Sequence, residues 1–211
     1  MKYIKTECFF QKIKLLFLLL LLYFGFTALI HVNLSHFAGT QIELFRKLFS
    51  MIRFYLGLTL CGYLFIMSHH LFDSDTKEVL WATLKLPKLV VMFLLIVVFL
   101  ILVAPWLGMM CYSYHAPWYF CFESILLCLE IMMCYEALSL VMKSSFFSLI
   151  SLILLLMFAY YFVSPDALYN FIYPNHLLSE FTQSHYIFHI ISLLLLLIIN
   201  LFIERTEMIS L

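Results

Sequence analysis

Leu89-Val-Val-Met-Phe-Leu-Leu-Ile-Val-Val-Phe-Leu-Ile-Leu-Val-Ala-Pro-Trp-Leu-Gly-Met-Met110 runs for 22 residues without a charge. A helix rises 1.5 Å per residue, so this stretch reaches about 33 Å, more than the roughly 30 Å hydrocarbon core of a bilayer. In water such a helix has no polar face to present. In lipid it satisfies every backbone group internally and needs none. The reading that follows is an all-α, polytopic transmembrane bundle.

The rest of the chain agrees with that start. Hydrophobic residues make up 65% of the 211 and charged residues 11%, against about a quarter charged in a soluble domain. The formal net charge is zero, which gives no basis for binding nucleic acid or an acidic polymer. Only five Gly and five Pro are present. Large Leu, Ile and Phe side chains, rather than small-residue motifs, must therefore carry the helix packing.

Working outward from 89–110, five more spans are expected, at about 15–32, 54–71, 119–142, 146–163 and 185–203, within a single transmembrane domain covering 1–211. Lys2, Lys5, Lys12 and Lys14 precede the first, which resembles a signal peptide. No small-x-small cleavage site follows it, so it reads as a retained span. Residues 34–52 mix Gln41, Glu43, Arg46 and Lys47 with Ile42, Leu44, Phe45, Leu48 and Phe49, as an interfacial lead-in does. Tyr112, Tyr114, Trp118 and Tyr119 around the link 111–117 form an aromatic belt. Lys143-Ser144-Ser145 separates the fourth span from the fifth, and a longer polar segment, Ser164–Ser184, precedes the sixth.

With the N-terminus inside, the cytoplasmic side holds Lys2, Lys5, Lys12, Lys14, Lys77, Lys85, Lys88, Lys143 and Arg205, and the outer side Arg46, Lys47 and Arg53. Nine against three places both termini in the cytoplasm of a cell membrane, with a bacterial one as the default. The three outer residues are expected at the interface with their heads in water.

Two segments carry candidate chemistry. Phe72–Lys88 is the longest expected cytoplasmic loop. It has acids first (Asp73, Asp75, Glu78), then apolar residues, then Lys85 and Lys88. Asp73 or Ser74 suits a helix start, where acids meet the positive dipole end. Such a short amphipathic helix either docks a cytoplasmic partner or merely connects two spans. The fourth span contains Glu123, Glu130 and Glu136. Carboxylates are costly in hydrocarbon and face protein or a wet cavity. At 100° per residue Glu123 and Glu130 share a face, about 10 Å apart along the axis, while Glu136 points about 120° away. Glu123 and Glu130 are thus candidates for a translocation path; the plainer alternative puts Glu123 near the headgroups and Glu130 inside the bundle.

Other residues offer less. The six cysteines (Cys8, Cys61, Cys111, Cys121, Cys128, Cys134) include no CxxC pair and read as small buried hydrophobes. His69-His70 are adjacent and diverge on a helix, and His185 and His189 have Tyr186 where HExxH needs Glu. No metal, cofactor or catalytic residue is assigned. GxSxG and the Walker loop are missing, so the chain reads as no enzyme, and any ATP hydrolysis belongs to another chain.

Asp75-Thr-Lys-Glu-Val-Leu-Trp-Ala-Thr-Leu-Lys-Leu-Pro-Lys88, entering a long span, resembles the corresponding loop of type-2 ATP-binding-cassette exporter permeases. Glu78, Leu80, Thr83 and Pro87 carry the match; the usual Gly is missing, the Pro sits later, and the basic residue within the next span is absent. The six-span layout with a longer external segment before the last span is similar too. The resemblance implies an ATPase-docking loop at Asp73, Asp75, Glu78, Leu80, Trp81, Thr83 and Pro87. It also implies two partners, a cytoplasmic ATP-binding-cassette ATPase and a second permease subunit, identical or related. Such permeases export peptides, lipids or drugs. Two other readings compete: the substrate-binding membrane subunit of a vitamin-type importer, and a membrane-embedded enzyme using Glu123 and Glu130.

Overall fold

A computed structural model describes residues 2–38, 41–72, 88–115, 119–162 and 183–209, and every element among them is a helix. The first rod joins α1 (Lys2–Leu20), a π-helical stretch (Leu21–Phe26) and α2 (Thr27–Ser35). The others are α3 (Gln41–Phe72), α4 (Lys88–Tyr114), α5 (Tyr119–Met142), α6 (Ser145–Phe162) and α7 (Gln183–Ile209).

The ends of α4 and α5 have clear local causes. His115 and Lys143 both adopt positive φ, 52° and 51°, the left-handed conformation that ends a helix. Ser144 then restarts the chain: its Oγ accepts from the Phe147 N–H at 3.5 Å, and its carbonyl accepts from Ser148 Oγ at 2.8 Å. This is the role of a helix N-cap. Pro105 lies within α4, where it removes one backbone donor and crowds the preceding turn. The π-helical stretch faces that weakened turn. Tyr23 donates to the Leu102 carbonyl at 2.9 Å, and the Trp106 indole N–H donates to Thr27 Oγ1 at 2.9 Å. These two hydrogen bonds tie the first rod to α4 on either side of Pro105.

The helices alternate in direction. His31 near the end of α2 meets Tyr114 at the end of α4, Tyr23 meets Leu102 midway, and Phe65 near the end of α3 meets Phe146 at the start of α6. α3 and α5 occupy the centre. α3 packs against the first rod, α4, α5 and α6, and α5 packs against α3, α4, α6 and α7. Burial follows: 61% of the apolar window of α3 and 50% of that of α5 is buried, against 33% for α4 and 11% for the first rod. The close approach of α3 needs Gly57, where a Cβ would stand 3.3 Å from both Ile131 and Leu156.

The distribution of polarity is the reverse of a soluble protein's. Phe17, Phe24, Ile101, Leu154 and Phe202 are exposed on the outside, whereas Arg53, Thr59, Ser68, Glu123, Ser124, Glu130, Glu136 and Asn200 are buried. An apolar surface of this extent needs lipid as its solvent. Four stretches are long and apolar enough to cross a membrane: Gln11–Ser35, Lys47–Ser68, Val90–Tyr114 and Cys121–Met142. Ser145–Phe158 and Ile190–Ile203 are shorter apolar helical stretches.

α5 has the expected bounds, 119–142. The lead-in before the second span differs from expectation. From Gln41 it belongs to one unbroken helix with that span, because Leu44, Leu48, Met51 and Ile52 repeat at helical spacing across the interface. α4 likewise continues through Cys111–Tyr114, into what reads in sequence as a link. The Ser164–Ser184 segment lies almost wholly outside the described residues.

Candidate functional site

α3 and α5 are enclosed on several sides, so residues on more than one face of each become core. This is why all three glutamates of α5 are buried, at 4% (Glu123), 3% (Glu130) and 1% (Glu136) exposure. The helical wheel pairs Glu123 with Glu130 and sets Glu136 apart. The bundle still buries Glu136, because α5 has a neighbour in that direction too. Glu136 therefore joins the site, which sequence periodicity alone does not include. Seven and six positions apart, the carboxyls step about 10 and 9 Å along the axis, the first two on one face and Glu136 on another.

Arg53 is the clearest departure from expectation. The sequence reading puts its head in water at the interface, but it is 3% exposed, forms an ion pair with Glu123, and lies 3.7 Å above the Phe49 ring. The reason is depth. Arg53 lies six residues inside the apolar window of α3, about 9 Å along the axis, opposite the first turns of α5. A carboxylate and an aromatic face there replace the water it has lost. Lys47, nearer the end, keeps an exposed head that donates to the Asn33 carbonyl at 3.4 Å.

Below the ion pair the polar column continues. The Thr59 hydroxyl donates to the Tyr55 carbonyl at 2.7 Å, so α3 absorbs it locally. Ser68 Oγ donates to the Leu64 carbonyl at 2.5 Å and lies 3.0 Å from the hydroxyl of Tyr135, the residue before Glu136. From the other side Asn200 of α7 donates to the Met133 carbonyl at 3.1 Å. Charged and polar side chains thus run from the first turns of α5 nearly to its end, all at the interfaces of the two central helices.

The docking residues Asp73, Asp75, Glu78, Leu80, Trp81, Thr83 and Pro87 lie outside the described residues. His69, His70, His185 and His189 fall in the terminal turns of α3 and α7. Among the described residues no three His, Cys, Asp or Glu side chains gather as a metal site. Sequence reasoning put Arg53 at the interface rather than in the core and passed over Asn200; a charge or an amide deep inside an apolar run is the available signal. No family model matches the chain, and no curated protein or solved structure matches it either.

Proposed function

We propose that this chain is the six-span permease subunit of an ATP-driven exporter of the ATP-binding-cassette type, with the polar column of α3 and α5 as its part of the translocation path. The observation that carries the transport reading is the burial of Arg53, Glu123, Glu130 and Glu136 on the two central helices. Each charged side chain in mid-membrane costs about 2.5–3.5 kcal/mol on insertion scales. Apolar residues would hold the same helices together without that cost. A bundle that keeps four such residues buried on its two central helices has a use for polarity there.

Six crossings suit the helix lengths. α6 with 18 residues and α7 with 27 reach about 27 and 40 Å. Burial of Arg53 removes it from the outer side, leaving Arg46 and Lys47 against nine inner residues, which favours cytoplasmic termini further. Segment 73–87 then joins α3 to α4 on the cytoplasmic side, where an ATPase would dock. Six spans make half of such an exporter, so a second permease subunit completes it. ATP turnover would bias the bundle between inward- and outward-facing states that bind the solute differently.

A second reading has its own observation. Glu123, Glu130 and Glu136 follow one another, buried, along α5, and carboxyls that take up and release protons in mid-membrane suit a cation-coupled carrier needing no ATPase. Purification from native membranes in mild detergent separates the two. The exporter reading expects an ATP-binding-cassette ATPase to co-purify and Trp81→Ala to weaken the association by about 2 kcal/mol, roughly 30-fold. If no ATPase is retained, and proton exchange with the bulk disappears in Glu130→Gln, the carrier reading stands instead.

A further inference from the structure

We infer that Cys111 and Cys121 are a redox modification site, closing to a disulfide that staples the end of α4 to the start of α5. Their sulfurs are 3.7 Å apart. A disulfide needs about 2.05 Å, so the two sulfurs have under about 2 Å to close. The turn at His115, with its positive φ, brings the two helix ends together. Both cysteines are half-buried, whereas Cys61 and Cys128 are fully enclosed in the core. Tyr112 beside them is exposed. The pair sits where two apolar stretches, Val90–Tyr114 and Cys121–Met142, end and begin, the depth at which a span meets water.

The location gives the bond a purpose. Cys121 lies two residues before Glu123, which pairs with Arg53 across to α3. Tying α5 to α4 at this point fixes the entrance turn of the polar column. The inference rests on the orientation proposed above, which puts the 111–121 hairpin on the outer face, where disulfides persist. The reaction is thiol–disulfide exchange with a low-molecular-weight disulfide or a disulfide-carrying exchange protein. The thiolate of one cysteine attacks the reagent's S–S bond and releases one reagent thiol. The thiolate of the other attacks the mixed disulfide and releases the second. Two cysteine S–H bonds and one reagent S–S bond are exchanged for one protein S–S bond and two reagent S–H bonds, with no other oxidant.

The test alkylates the full chain with N-ethylmaleimide at the moment of lysis, then reduces it and labels it with a mass-distinct maleimide. Peptide mass spectrometry should find the second label on Cys111 and Cys121 and not on Cys61 or Cys128. In Cys111→Ser, Cys121 should carry the first label instead, and the reciprocal should hold for Cys121→Ser. The first label on both cysteines in the native chain overturns the inference. A companion experiment says why: reduced, purified protein is given oxidised glutathione. Closure to an internal disulfide there puts the failure on the orientation. Glutathione adducts on both cysteines without closure put it on the geometry.

Discussion

Replacing Arg53 with Met leaves the Glu123 carboxyl in a core position that is 4% exposed and was built around a cation. Removing one partner of a buried ion pair costs about 3–5 kcal/mol, because the other charge stays behind. Glu123→Met should cost less. It leaves Arg53 still resting on the Phe49 ring at 3.7 Å, and a desolvated cation–π contact retains about 2 kcal/mol. The double variant removes both charges, and apolar replacement of a buried pair is neutral or even stabilising by about 1–4 kcal/mol. The single-variant losses should therefore not add: the pair should couple by about 3 kcal/mol or more. Unfolding in mixed micelles with increasing SDS, followed by the fluorescence of the fully buried Trp106 in a chain lacking Trp81 and Trp118, gives the three free-energy differences. Additivity within about 0.5 kcal/mol would refute the pairing, and equal costs for the two single changes would refute the part assigned to Phe49.

Cysteines placed at residues 36 and 143, both exposed at helix ends, should react with a membrane-impermeant maleimide from opposite sides, 36 in intact cells and 143 only after lysis; the reverse would invert the topology. Gly57→Val should destabilise by about 1–3 kcal/mol through overpacking, since even a Cβ there stands 3.3 Å from Ile131 and Leu156, and the same unfolding assay would show it. Asn200→Leu removes the donor to the Met133 carbonyl and should cost about 0.6 kcal/mol, the mean for interhelical hydrogen bonds in a membrane. Glu130→Leu should keep folded yield while abolishing solute movement, and unchanged export would leave Glu130 outside the path.

Some of this molecule is plain in its sequence and some is not, for physical reasons. α5 is bounded correctly at 119 and 142 because Lys143-Ser144 interrupts an apolar run, and hydropathy detects interruptions. α3 is bounded less well. A helix does not stop where an apolar run ends, and Gln41–Ser50 continues the helix of the second span. Glu123 and Glu130 stand out as candidates because a carboxylate among Leu and Ile is anomalous in any arrangement. Arg53 invites the wrong placement because its partner is on another helix, and no local rule links residue 53 to residue 123. Cys111 and Cys121 are hidden by the same limit: ten residues separate them, and only the turn at His115 makes them neighbours.

An α3–α5 core that serves as a path admits water during work; a static scaffold does not. Cys61 on α3 and Cys128 on α5, both fully buried, are native reporters of it. In native membranes, with Cys8, Cys111, Cys121 and Cys134 changed to Ser, a charged methanethiosulfonate should modify Cys61 or Cys128 when ATP is supplied. It should leave both untouched when ATP is withheld. If neither cysteine reacts under turnover, while an exposed control at position 143 does, the polar column is a sealed structural core and the transport account is wrong.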